Sequence, residues 1–201
     1  IGHLFAGTAA KPGARTRIHV ADIFAGPRGT AGSTFALVQA LDWMAAQGVP
    51  VINVSLAGPR NAVVAASIDR LTSKGHVIVA AAGNDGPAAP PVFPGAYTGV
   101  IAVTAVDQRR QIYRYANRGS YVDFAARGVN VPSMDPNGLR TSTTGTSFAA
   151  PVIAARLAAT LTRPNVAAAK AAVAALEASA TDLGAPGRDA TFGQGLVEEA
   201  P

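Results

Sequence analysis

The sequence predicts a three-layer α/β/α fold with a mostly parallel central sheet. Short β-branched runs alternate with helical segments along the chain, the pattern of parallel strands joined by crossover helices. The runs are nearly continuously apolar rather than alternating, as strands covered on both faces are. The 201 residues are 49% apolar and 14% charged, enough to bury a substantial core and too apolar for a disordered chain.

The elements follow in order. Strands are expected at Arg17–Phe24, Val49–Ser55, His76–Ala81 and Val100–Val106. A first helix is expected from Thr34 to Gln47, capped by Ser33 and ended by Gly48. A second runs from Asn61 to Lys74 and stops at Gly75. Residues 82–98, rich in Gly and Pro, read as a long surface loop. Residues 107–143 hold shorter, irregular strands, including Tyr121–Ala125. A long apolar helix then opens near Thr146 and continues to Leu161. After Pro164 an Ala-rich helix spans Asn165–Ala180, with Val166, Val173 and Leu176 on one face. Trp43 reads as core, Asp123 as a surface or turn residue, and His19 and His76 as structural. With no repeat and no linker, residues 1–201 read as one domain.

Composition bounds the chemistry. There is no cysteine, which excludes disulfides, thiolate metal sites and a cysteine nucleophile. The net charge is +5, and Arg109, Arg110, Arg114 and Arg118 alternate with Tyr113 and Tyr115. Such a stretch can hold a single nucleic-acid strand, but no nucleic-acid fold motif accompanies it, so it reads as a solvated meander. No nucleic-acid partner and no membrane span are expected. The sequence starts at Ile1 without Met, so processing or trimming upstream is expected.

Three motifs carry chemistry. Thr144-Gly145-Thr146-Ser147-Phe148-Ala149-Ala150-Pro151 places a serine hydroxyl at a helix N-terminus, where free N–H groups and the helix dipole favour developing negative charge. Small Ala149 and Ala150 permit close packing beneath it, and Pro151 is expected near the first turn, where a missing N–H costs little. Ala80-Ala81-Ala82-Gly83-Asn84-Asp85-Gly86 follows an apolar strand and reads structurally as a turn. Ile52-Asn53-Val54-Ser55-Leu56-Ala57-Gly58-Pro59 is a buried strand running out into a Gly/Pro turn, a strand edge suited to main-chain pairing with peptides.

These motifs, in this order, resemble the subtilisin-like serine peptidases (peptidase S8, the subtilases) over nearly the whole chain. The resemblance implies the subtilisin-like fold and a serine endopeptidase acting through an acyl-enzyme on Ser147. It makes Asn84 the side-chain donor to the oxyanion, beside the Ser147 N–H. It makes Ser55, Leu56, Ala57 and Gly58 the edge for an extended peptide, with Ala81, Ala82 and Gly83 lining its side-chain pocket. Arg28, Gly29 and Thr30 are a weaker candidate for the opposite edge. The tail from Phe192 to Val197 matches the segment that closes the domain. Family members often bind calcium, but no loop here matches a calcium site, and no cofactor is expected. The resemblance implies a secreted or periplasmic bacterial protein.

One position departs from the pattern. The family's histidine motif, His-Gly-Thr-His-Val-Ala-Gly, aligns on Ile1-Gly2-His3-Leu4-Phe5-Ala6-Gly7, so Ile1 occupies the catalytic histidine slot. His3 is two residues on, about 200° around a helix, and points elsewhere. The family's aspartate lies upstream of that motif, on a strand between those matching residues 17–24 and 49–55. Three alternatives follow for that place in the sheet: an upstream segment fills it, a partner chain fills it, or the flanking strands pair directly. Activity of these 201 residues is therefore expected to be absent or strongly impaired, and the alternative function is an inactive pseudoprotease that binds extended peptides or a protein partner.

Overall fold

The computed structural model describes residues 17–25, 31–135 and 137–198. A four-stranded parallel sheet forms its centre, in the order β3 (Val51–Val54), β4 (Val77–Ala81), β5 (Val100–Val106) and β6 (Val122–Arg127). Two short antiparallel pairs flank it. One is β1 (Phe24–Ala25) with β2 (Ala31–Gly32), and the other is β7 (Val131–Met134) with β8 (Arg140–Thr143).

Alternation along each strand sorts the side chains into two cores. Ile52, Val54, Ile78, Ala80 and Val100 face α1 (Thr34–Ala46) and α2 (Ala62–Ser73), where they meet Leu41, Val64, Ile68 and Leu71. Val51, Val77, Val79, Ile101, Val103 and Phe124 face α3 (Thr146–Ala158) and α4 (Val166–Ser179). The three-layer α/β/α expectation holds. The caps account for where helices start. Ser33 Oγ accepts from Ala36 N–H, and Asn61 Oδ1 accepts from Val63 and Val64 N–H. Gly48 and Gly75 take φ of 66° and 87°, the left-handed conformation that ends α1 and α2.

Several expectations need correcting. Arg17–Phe24 is not a strand of the sheet: only Phe24 enters a strand, β1, and residues 17–23 have no ladder partner among the described residues. Direct pairing of this segment with β3 therefore does not occur there. Pro50 O accepts from Val77 N–H at 2.8 Å, so Ile52 and Val54 also turn their main chain toward β4. Val51 and Asn53 consequently turn their N–H and C=O outward, toward an apolar cavity of about 320 Å³ lined by Ile18, Val20, Ile23, Leu41 and Val54.

The loop at 82–98 is anchored rather than superficial, with Ala82, Gly83, Gly86, Gly95 and Tyr97 all buried. The expected irregular strand at Tyr121–Ala125 is β6, a full member of the parallel sheet. Helix α3 ends at Ala158, short of Leu161. Trp43 is 40% exposed on the outer side of α1 and packs edge-on against His19, with ring centroids 5.7 Å apart.

Asp123 is neither a turn nor a freely exposed residue. It sits within β6, where Oδ2 accepts from Ala102 N–H at 2.8 Å beside a bulge in the β5–β6 pairing, and Oδ1 accepts from Arg188. The tail then docks on it: Gln194 N–H donates to Asp123 O at 2.7 Å, and Leu196 bridges Ala125 and Thr181.

Candidate active site

The candidate residues converge because parallel strands deliver their C-terminal ends to one side of the sheet, where open α/β folds place their ligands. Ser55 follows β3 and Asn84 follows β4. Ser147 is the second residue of α3, which is buried on all sides: Ala149, Ala150, Ile153, Ala154 and Ala155 have no exposed surface. A helix so enclosed fixes its N-terminus in space.

The helix start has no side-chain cap of its own. Gly145 occupies the N-cap position with φ 151°, and its N–H donates to Gly128 O at 2.8 Å. The capping acceptor comes from the β4 loop instead. Asn84 Oδ1 accepts from Thr146 N–H at 2.9 Å and lies 3.1 Å from Thr146 Oγ1. Thr146 Oγ1 in turn accepts from Gly83 N–H at 3.2 Å. Because a main-chain N–H can only donate, the oxygen of the Asn84 amide must face Thr146. Nδ2 is thereby the end of the amide left uncommitted. Among the described residues neither Asn84 Nδ2 nor Ser147 N–H has an acceptor. Two donors thus stand open at the end of α3 that carries the serine.

The loop under Asn84 is held by residues that sequence reasoning missed. Asn117 is fully buried; its N–H donates to Gly83 O at 3.1 Å and its Oδ1 accepts from Asp85 N–H at 2.8 Å. It therefore brackets Asn84 on both sides. Gly83, at φ 110°, leaves it room: a Cβ there would lie 2.7 Å from Asn117 Cγ. Tyr121 Oη donates to Ala82 O at 2.6 Å. Burial holds that phenol above its usual range; the Asn117 hydrogen bond opposes this and the Asp85 charge adds to it. In the sequence, Asn117 sits in the Arg/Tyr stretch and Tyr121 opens an expected irregular strand, with nothing to mark their partners.

The other candidates separate. Ser55 and Leu56 are half-buried and Ala57 is exposed, and their main chain has no hydrogen-bond partner among the described residues. Gly58 differs, because its N–H and C=O are both engaged with Phe93 at 2.8 and 3.0 Å. Ala81, Ala82 and Gly83 are buried and form the floor beneath Asn84. Pro151 lies in the second turn of α3, not the first, so its missing N–H falls inside the helix. Ile1, His3, Arg28, Gly29 and Thr30 lie outside the described residues. His76 is buried with Nδ1 2.7 Å from Val49 O, and His19 lies against Trp43. Neither histidine is near the serine's helix end by any contact among the described residues.

A family model described as peptidase S8, the subtilase family, matches residues 2–195. The chain belongs to the subtilase family. Two of its curated relatives come from Bacillus species. Subtilisin DY of Bacillus licheniformis is 34% identical over 170 residues, covering 83% of this chain and 61% of that protein. The minor extracellular protease Epr of Bacillus subtilis (strain 168) is 32% identical over 168 residues, covering 83% of this chain and 26% of the other. This subtilase chain thus spans less than two thirds of the length of either. Among solved structures, a lanthipeptide protease superposes with a TM-score of 0.74 at 21% identity, over 84% of this chain and 65% of the other. The prenylagaramide maturation protease PagA gives 0.72 at 25% identity, over 83% and 65%.

Proposed function

We propose that this subtilase chain carries the nucleophile and oxyanion-stabilising part of a serine endopeptidase domain, with Ser147 as nucleophile. The observation that carries the reading is the Asn84 amide. Its oxygen is committed to Thr146, the residue before Ser147, so Nδ2 and the Ser147 N–H are both left without an acceptor among the described residues at this helix N-terminus. In the reaction, Ser147 Oγ attacks a peptide carbonyl carbon and passes its proton to a base. The carbonyl oxygen becomes an oxyanion, stabilised by Asn84 Nδ2 and Ser147 N–H. Collapse expels the protonated amine and leaves the acyl-enzyme, which water then hydrolyses. The free main chain of Ser55–Ala57 suits an extended peptide, and Ala81, Ala82 and Gly83 shape the wall behind its side chain.

Ile1 stands in the histidine slot and accepts no proton. Loss of the histidine costs subtilisin itself about six orders of magnitude in turnover. On this reading the Ile1 substitution leaves the activity absent or strongly impaired, and it supports a second reading, a pseudoprotease that binds extended peptides. The outward main chain of Val51 and Asn53 supports an upstream segment or partner strand completing the sheet there. Residues 1–201 act as one unit in either reading. The extracellular relative supports a secreted or periplasmic bacterial location.

The test is intact-mass labelling with a fluorophosphonate, comparing the chain with Ser147→Ala. An adduct on the parent alone is expected if Ser147 is activated. Absence of adduct under conditions that label an active subtilisin refutes the peptidase reading and leaves the pseudoprotease.

A further inference from the structure

The nucleophile's own carbonyl is held from outside its helix. In an α-helix the carbonyl of residue i accepts from the N–H of residue i+4. For Ser147 that residue is Pro151, which has no N–H and whose ring crowds the carbonyl it faces. The ladder is therefore broken at the residue that carries the hydroxyl. The donor comes from the far side of the sheet's end: Ser55 Oγ donates to Ser147 O at 2.9 Å. Asn53 Nδ2 donates to the same Ser55 Oγ at 2.8 Å. A main-chain carbonyl only accepts, so the single Ser55 proton goes to Ser147 and its lone pair faces Asn53. That fixes the hydroxyl rotor from both sides. Asn53 Oδ1 is left buried without a partner among the described residues, so the amide is held by its donor end.

We propose that Ser55 is a positioning residue for Ser147, holding the carbonyl that Pro151 releases and so tying the nucleophile to the edge where a peptide pairs. The proposal rests on the reading of Ser147 as nucleophile and deepens it. Pro151 gives the tie its purpose. Any other residue at that position would return the carbonyl to the helix, and the nucleophile would then be placed by α3 alone. With Pro151 present, the first turn of α3 and the end of β3 move as one body. A peptide strand lying along Ser55–Ala57 is registered against the same residue that orients the hydroxyl.

The test is a double-variant cycle of the parent, Ser55→Ala, Pro151→Ala and the combined variant, with Ser55→Thr as the conservative control. Each is read by melting temperature and by the rate of fluorophosphonate labelling. The reagent is small and makes no strand contacts, so its rate reports placement of Ser147 rather than peptide binding. Ser55→Ala is expected to slow labelling about tenfold or more. It also lowers the melting temperature, while Ser55→Thr keeps the parental rate. The combined variant regains melting temperature, because position 151 now supplies an N–H to the carbonyl, but its labelling stays slow. In solution, the ¹³C shift of the Ser147 carbonyl, read through the Phe148 amide, should change in Ser55→Ala.

Three results would overturn the proposal. One is parental labelling in Ser55→Ala. Another is recovery of both rate and stability in the combined variant, which would reduce Ser55 to a filler of an empty acceptor. The third is an unchanged carbonyl shift. A parent that does not label when an active subtilisin does would instead remove the nucleophile reading, and the positioning role with it.

Discussion

Replacing Asn117 tests whether the Asn84 loop is held as the structure implies. The side chain is fully buried and makes two hydrogen bonds to the main chain, accepting from Asp85 N–H at 2.8 Å and donating to Pro90 O at 3.3 Å. Removing the acceptor strands a partly buried N–H, which costs about 1–3 kcal/mol. The longer bond to Pro90 adds about 0.5 kcal/mol, at the low end of the net range for a hydrogen bond. Asn117→Leu keeps the volume and loses both bonds, so a destabilisation of about 2–3 kcal/mol is expected. For a chain of this size that is a fall of about 5–10 °C in melting temperature, measured by circular dichroism or calorimetry. Labelling of Ser147 should fall as well, because Asn84 is carried by the residues on either side of it. A Leu variant that melts within about 1 °C of the parent would refute the claim that Asn117 holds the loop. Lost stability with unchanged labelling would separate the fold from the site.

Three further outcomes are expected. On the proposed reading Asn84→Ala removes one oxyanion donor and should cut acylation by roughly a hundred- to a thousandfold, the scale known from subtilisin, with little change in peptide affinity; equal losses in rate and affinity would contradict it. Gly193 adopts φ 63° with a would-be Cβ 2.2 Å from Asp123 O, so Gly193→Ala should lose at least about 2 kcal/mol in denaturant unfolding by forcing the tail off β6. The two carboxyls of that region should give opposite pH dependence in thermal melts. Burial holds the Asp123 carboxyl above its usual range despite the Ala102 N–H and Arg188, so its contribution is greatest at low pH and is lost as pH rises through the raised value. Burial also pushes Asp189 upward, but the N–H groups of Phe192, Thr191 and Ala185 and the charge of Arg118 outweigh it and leave it below its usual range. Its contribution is present above the ordinary carboxylate value and is lost as pH falls through the lowered one. Asp123→Asn and Asp189→Asn should each flatten the corresponding limb.

Much of this fold was legible because its signals are local. Ser33 and Asn61 sit where a cap must, Gly48 and Gly75 where a left-handed residue must, and the strand runs are apolar because both faces are covered. Arg17–Phe24 misled because its apolar pattern fits a strand, while strand pairing depends on a neighbour that the pattern does not contain. Trp43 misled because aromatic bulk suggests burial, yet α1 turns that face outward. At the site, Ser147 and Asn84 stand in motifs that resemblance reads directly. Asn117 and Tyr121 do not, since their partners at Gly83, Asp85 and Ala82 are 32 to 39 residues away in sequence. Pro151 was misplaced by a single turn, and that turn decides whether its missing N–H is harmless or frees the serine carbonyl.

The enclosure of α3 also sets the order in which the site is lost on heating. Amides of Ile153 and Ala154, buried on every side, exchange with solvent only when the whole structure opens. Asn84 itself is exposed and is held through the hydrogen bonds of Thr146 and Asn117 rather than by apolar burial, so the loop's tip can open while the core stays closed. Warming should therefore release the Asn84 amide first and leave Ser147 fixed on an intact helix, so that the chain passes through a state in which the proposed nucleophile outlasts its proposed partner.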